Sequence, residues 1–238
     1  MSHPLSNSFR VDLSDQVAVT VKATFPSRSR PDTPAVVLAH GANNDLEHPL
    51  LAYLAARLVE MIDVLVVRFN FPYVERSAKS PDSQAVLEDA FRRVHSHVAD
   101  ELCGRGAPIF VGGKSLGGRV AAELISLGRQ HEGLVASGLI VLGYPLHAPG
   151  RKDRLRVDPL RHIAVPSLFC VGSRDPLCDT ESLRPILAGL SYPGQLFVLQ
   201  GGDHSLVLSS ASRRRPEDGY DDVAQKMAAF VGGVIGTS

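Results

Sequence analysis

The chain is poor in what would staple or anchor a protein. Its 238 residues include only three cysteines, Cys103, Cys170 and Cys178. An odd number with no C-x-x-C spacing argues against a disulfide framework and points to reduced, buried or half-buried thiols. No run approaches the ~18 consecutive apolar residues that a membrane-spanning helix needs. The opening Met1-Ser2-His3-Pro4 lacks a charged segment leading into an apolar one, so no secretory leader is expected. An excess of charge of one sign is missing too, because 25 Lys and Arg are balanced by 25 Asp and Glu. A nucleic-acid binder would carry a basic excess on one face. The one dense basic run, Arg213-Arg214-Arg215, lies between a Ser/Ala-rich stretch and Pro216 and reads as a solvated loop. These absences lead us to expect a soluble, cytoplasmic protein without a nucleic-acid or membrane partner.

What is present is ordinary globular material. Hydrophobic residues make up 44% of the chain and charged residues 21%, enough for a core that needs neither disulfides nor a structural metal. At ~150 residues per domain the length fits one large domain or two small ones. No internal repeat or low-complexity linker occurs, and the polar stretch from Ser27 to Pro34 is too short and too early to be a boundary. The expectation is one domain spanning residues 1–238.

Short apolar runs alternate with longer helix-period segments. The runs are Ala35–Ala39, Val64–Val67, Pro108–Val111, Leu139–Leu142, Ser167–Val171 and Leu196–Leu199. They lack polar alternation, as strands buried on both faces do. Between them lie amphipathic stretches: Leu50 to Met61, Gln84 to Leu102, Leu116 to Leu127, Glu181 to Leu190 and Asp221 to Val234. This alternation implies right-handed crossovers and a mostly parallel sheet with helices on both faces. Phe9–Leu13 and Val17–Val21 alternate apolar with polar residues around a short turn, which predicts an antiparallel hairpin at one sheet edge.

In such a sheet, ligands bind outside the carboxyl ends of the strands. After the fifth strand run comes Gly112-Gly113-Lys114-Ser115-Leu116-Gly117-Gly118, which contains G-x-S-x-G. The pattern alone is weak, but it lies between a buried strand and a helix, where a nucleophile elbow belongs. A sharp turn there would force Ser115 into a strained backbone conformation, with no room for side chains at positions 113 and 117. No G-x-x-x-x-G-K-[ST] or G-x-G-x-x-G phosphate cradle competes with this reading.

A serine hydroxyl needs a base, and the base needs an orienting group. Asp175 follows the next-to-last strand run and His204 follows the last. The order Ser115, Asp175, His204 is that of a Ser…Asp…His triad on an α/β sheet. Asp179 and Asp203 compete with Asp175, which is preferred as the first carboxylate past its strand. A developing oxyanion needs two donors. One would be the backbone N–H of Leu116, and the other that of Ala42 or, as the second choice, Asn43, in the loop His40-Gly41-Ala42-Asn43-Asn44. His40 reads as structural.

These residues together resemble the α/β-hydrolase superfamily, in its dienelactone-hydrolase-like branch. More narrowly, Arg68-Phe69-Asn70-Phe71-Pro72-Tyr73, Gly112-Gly113-Lys114-Ser115 and Gly143-Tyr144-Pro145-Leu146-His147 resemble the group containing testis-expressed protein thirty and the hydrolase-like subunit of the NSL histone-acetyltransferase complex. The resemblance spans about residues 35 to 232 and departs from dienelactone hydrolases proper, which carry cysteine where Ser115 stands. Lids in this superfamily are inserted after the sixth strand. Only 24 residues, Gly143 to Pro166, separate that strand run from the next, so an open, lidless site is expected. Asn43, Tyr73, Lys114, Tyr144 and His147 are the candidates to line it. The reading is a serine hydrolase acting on a small carboxylic ester, thioester or amide through an acyl-enzyme, with no metal or organic cofactor. The alternative is a catalytically silent module that keeps the fold to bind a partner.

Overall fold

The computed structural model describes residues 5–128, 133–192, 194–209, 214–215 and 217–236. Met1–Pro4 and, from the basic run and its flank, Arg213 and Pro216 lie outside the described residues. The described parts of the chain form one α/β domain.

The six apolar runs are the six parallel strands. They are β3 (Ala35–Ala39), β4 (Leu65–Phe69), β5 (Ile109–Lys114), β6 (Gly138–Leu142), β7 (Ser167–Gly172) and β8 (Gln195–Leu199). Both faces of β3 are covered: Ala35, Val37 and Ala39 pack on one side and Val36 and Leu38 on the other. That two-sided burial is why the run shows no alternation. Two earlier strands, β1 (Leu5–Ser14) and β2 (Val17–Phe25), pair antiparallel and add to the edge beyond β4. The order across the sheet is β1-β2-β4-β3-β5-β6-β7-β8.

Helices cover both faces. On one lie α1 (Pro49–Ile62) and α6 (Asp218–Ile235), packed through Leu54, Leu58, Met227 and Phe230. On the other lie α3 (Gln84–His97), α4 (Leu116–Leu127) and α5 (Thr180–Ala188), packed through Phe91, Val120, Leu124 and Leu183. Helix α1 begins where His48 accepts the Leu50 N–H at 3.2 Å and Pro49 takes the first turn, and it ends at Asp63 in the left-handed region. The helical stretch expected from Gln84 to Leu102 is α3 followed by a π-turn over Val98–Leu102. A four-residue helix, α2 (Pro72–Glu75), was not expected, because one turn is too short to show a period.

From Gly143 to Pro166 the regular structure is a single 3₁₀ turn, Leu160–His162. No lid is inserted between β6 and β7. Among the described residues no helix is long and apolar enough to cross a membrane.

Candidate active site

Strand β5 delivers Ser115 at a sharp turn into α4. Ser115 has φ 49° and ψ −108°, a conformation that L residues seldom adopt outside a constrained turn. Its N–H is held by the Leu142 carbonyl of β6 at 2.9 Å. The turn closes because the flanking positions carry no side chain. A Cβ on Gly113 would lie 2.2 Å from the Ala39 carbonyl oxygen, and one on Gly117 would lie 2.4 Å from the same atom.

Three strand ends converge on this turn. The Ser115 hydroxyl lies 2.9 Å from His204 Nε2, and His204 Nδ1 lies 2.8 Å from Asp175 Oδ2. For both bonds to form, Nδ1 must carry the ring proton and donate it to Asp175, leaving Nε2 to accept from the serine. The Asp175 side chain is fully buried and that of His204 is 20% exposed. The second Asp175 oxygen accepts the Leu177 N–H at 2.8 Å, which fixes the carboxylate plane. The competing carboxylates do other work. Asp179 caps α5 by accepting from the Ser182 N–H and hydroxyl. Asp203 accepts from the Ser205 and Val207 N–H groups and so shapes the loop that carries the histidine.

Strand β3 ends at Ala39, and from His40 the chain turns toward the serine. A Cβ on Gly41 would lie 3.5 Å from Ser115 Cβ, so this loop abuts the elbow. Fully buried His40 joins Gly41 to the chain after β4. Its Nδ1 donates to the Gly41 carbonyl at 2.8 Å and its Nε2 accepts the Phe71 N–H at 3.0 Å. Both bonds need the neutral ring, and burial pushes its pKa down to match. The Tyr73 hydroxyl donates to the Gly41 carbonyl and faces the Asn43 backbone amide.

The support of this loop is where sequence reasoning stopped short. Buried Arg68 donates to the Leu46 carbonyl and pairs with Glu47, Asn70 accepts the Leu46 N–H, and Asn70 in turn donates to Glu75. The Arg68–Tyr73 motif therefore holds the loop after β3 in place. Its unusual mix of charge, amide and aromatic residues after a buried strand was the available signal.

The five candidate lining residues separate. Asn43 and Tyr73 border a cavity of about 750 Å³ beside the Gly41 loop, together with Asn44, Asp45, His48 and Lys79. His147 borders a second cavity of about 400 Å³ that reaches Asp175, Ser173 and Cys178. Tyr144 lines neither. It is fully buried, its ring packs on Phe169 and its hydroxyl donates to the Arg156 carbonyl at 2.8 Å, so it braces the segment after β6. Lys114 is also buried rather than lining a cavity. Burial lowers its pKa, against the opposing pull of Asp203 and Asp175. Its charge, added to burial, helps push the pKa of His48 down to about 4. Among the described residues no three His, Cys, Asp or Glu side chains converge as metal ligands would.

Several solved structures share this architecture. A dienelactone hydrolase from Anabaena variabilis superposes with a TM-score of 0.72 at 16% identity, covering 96% of this chain and 97% of that one. Est1E from Butyrivibrio proteoclasticus, with ferulic acid bound, gives 0.75 at 14% identity over 96% and 99%. An α/β serine hydrolase without a lid from Xanthomonas campestris gives 0.67 at 19% identity over 95% and 93%. At these identities the likeness is one of fold. Residues 32–232, most of the chain, match the alpha/beta hydrolase domain family, and the protein belongs to that family.

Proposed function

We propose that the protein is a serine hydrolase that cleaves a small carboxylic ester, or a thioester or amide of similar size, through an acyl-enzyme. The observation that carries this reading is the unbroken pair of hydrogen bonds from Asp175 through His204 to Ser115. His204 Nε2 takes the serine proton as Oγ attacks the carbonyl carbon, and the buried Asp175 carboxylate stabilises the imidazolium. The imidazolium then protonates the departing alcohol, thiol or amine, which breaks its bond to the acyl carbon. Water deprotonated by His204 next attacks the acyl-Ser115 ester and releases the acid.

The oxyanion sits between two backbone donors. Leu116 N–H is one, as the first amide of α4 with no partner inside the helix. Ala42 N–H is the other, since the Asn43 amide faces the Tyr73 hydroxyl. Asn43 and Tyr73 border the cavity that takes one arm of the substrate, and His147 borders the space beyond Asp175. No cofactor enters this scheme.

The substrate is the only partner in this reading, with no nucleic acid or membrane. Free thiols at Cys103, Cys170 and Cys178 favour a reducing compartment, the cytoplasm. Within the superfamily we place the chain in the dienelactone-hydrolase-like branch, near the testis-expressed protein thirty group, on the motifs Arg68–Tyr73 and Gly143–His147. The test is labelling by a fluorophosphonate probe. The wild-type protein should label at Ser115, Ser115→Ala should not, and turnover should fall by ~10^4 to 10^6. A wild-type protein that does not label would overturn the enzyme in favour of a silent binding module.

A further inference from the structure

One cavity concentrates positive charge in a chain whose net charge is zero. It has a volume of about 440 Å³ and lies between α4 and the segment after His147. Arg119, Arg151, Arg154 and Arg156 line it, with Glu123 and Asp158 as the acidic residues. Arg119 pairs with Glu123 at 2.8 Å. Arg151 reaches Asp153 at 3.4 Å, but both side chains are more than half exposed, so that pair is weak. Among the described residues no carboxylate lies within ion-pair distance of Arg154 or Arg156. The cavity therefore holds more guanidinium charge than its own carboxylates neutralise.

Two of the four arginines sit on rigid parts of the fold. Arg119 belongs to α4, and its N–H bonds the Ser115 carbonyl at 2.9 Å. It stands one helical turn from the serine, about 6 Å along the axis. Arg156 is held through its own backbone, which accepts the Tyr144 hydroxyl and donates to the Leu146 carbonyl, and Arg156 Nη1 donates to the Pro145 carbonyl at 3.3 Å. The Arg151 and Arg154 side chains are exposed at the rim of the cavity. Leu155 borders both this cavity and the one at Asp175, where Lys152 adds a fifth cation.

Guanidinium forks match the oxygens of phosphate in pairs, and held donors lose little freedom on binding. We propose that this cavity is the subsite for a phosphate-bearing portion of the substrate, so that the enzyme is selective for phosphorylated esters or thioesters with a small acyl group. This rests on Ser115 being the nucleophile. The acyl carbon lies at the elbow, and the phosphate lies a helical turn or more away among the four arginines. The space exceeds what a single phosphate fills and suits a pyrophosphate or a nucleotide's phosphates.

The test compares two thioesters with the same reacting group: acetyl coenzyme A, which carries phosphates, and S-acetyl-N-acetylcysteamine, which carries none. In the wild-type protein kcat/KM should favour acetyl coenzyme A, the preference should shrink as salt is raised, and inorganic pyrophosphate should inhibit competitively. In R151E/R154E, two exposed changes, the ratio of the two kcat/KM values should fall roughly 10- to 100-fold, the range for charged hydrogen bonds. A wild-type enzyme that turns over the neutral thioester with equal or greater kcat/KM overturns the phosphate subsite and leaves the serine hydrolase standing. A ratio unmoved by R151E/R154E overturns it as well. Absence of both turnover and probe labelling overturns the hydrolase itself, and the subsite with it.

Discussion

Gly117→Ala and Gly232→Ala are the same chemical change, and the structure gives them opposite signs. At Gly117 the new methyl would lie 2.4 Å from the Ala39 carbonyl oxygen, 2.6 Å from its carbon and 2.8 Å from its Cβ. That is roughly 1 Å short of an ordinary contact. The obstacle is strand backbone in the middle of the sheet, so α4 must move rather than a side chain. Overpacking of this kind costs about 1–3 kcal/mol, from which alanine's better helix propensity returns at most ~1 kcal/mol. At Gly232, inside α6 and exposed, nothing lies within 4 Å of the added Cβ, and only the propensity gain remains. Because the propensity gain is common to both, the two variants should differ by the overpacking cost alone, about 1–3 kcal/mol. For a chain of this size each kcal/mol moves Tm by about 2–4 °C, so calorimetry should separate them by roughly 2–12 °C, with Gly232→Ala at or above wild type. A displaced α4 would also carry the Leu116 amide away from its proposed oxyanion position, and a shift near 1 Å there costs up to ~10^2-fold in rate. Fluorophosphonate labelling of Gly117→Ala should slow accordingly. If Gly117→Ala melts with the wild-type protein and labels at the same rate, the close packing of elbow on strand does not constrain the site.

Asp175→Asn should lower kcat/KM for p-nitrophenyl acetate by ~10^4, since an amide favours the wrong imidazole tautomer, whereas Asp179→Asn should cost only part of a helix cap; the reverse ranking would remove Asp175 from its role. For p-nitrophenyl esters kcat/KM should peak at acyl chains of roughly C2 to C6. Each buried CH₂ is worth ~0.8 kcal/mol, and the segment between β6 and β7 holds no lid to bury more of them; preference for C12 or longer, or activation at a lipid interface, would refute this. The lowered pKa values of His40 and His48 mean that the folded protein binds fewer protons than the unfolded chain below the ordinary histidine value of 6.5. Stability is then fully present above pH 6.5 and is lost as pH falls toward about 4, where folded His48 titrates. Urea midpoints at pH 7.5 and pH 5 should show the drop, and a flat profile across that interval would contradict the buried neutral rings.

Much of the fold is legible in the sequence because its strands are buried on both faces. Val36-Val37-Leu38 can be uniformly apolar only if helices lie above and below. Chain order made Ser115, Asp175 and His204 candidates, since each follows a strand end, and the structure brings all three within hydrogen-bonding distance. Beyond the strand ends the periodicities stop. Nothing in Gly143-Tyr144-Pro145 tells whether a tyrosine faces the site or turns inward to hold the Arg156 carbonyl. Lys114 reads as a residue lining the site, yet at the end of β5 it is buried, in the field of Asp203 and Asp175. The arginines at positions 119, 151, 154 and 156 become a group only when α4 and the loop after β6 are packed together.

The three strand ends that meet at Ser115 also set the order in which activity can appear. Ser115 and His204 are 89 residues apart in sequence, and Asp175 and His204 are 29 apart. No fragment that stops short of β8 and the turn around Asp203 can bring the imidazole to the serine, however well its earlier strands have paired. Long-range contacts of this kind close late in folding. On the ribosome the chain should stay inert toward esters until its final quarter has emerged. During refolding, hydrolysis should return with the last cooperative step, which makes catalysis a readout of complete assembly.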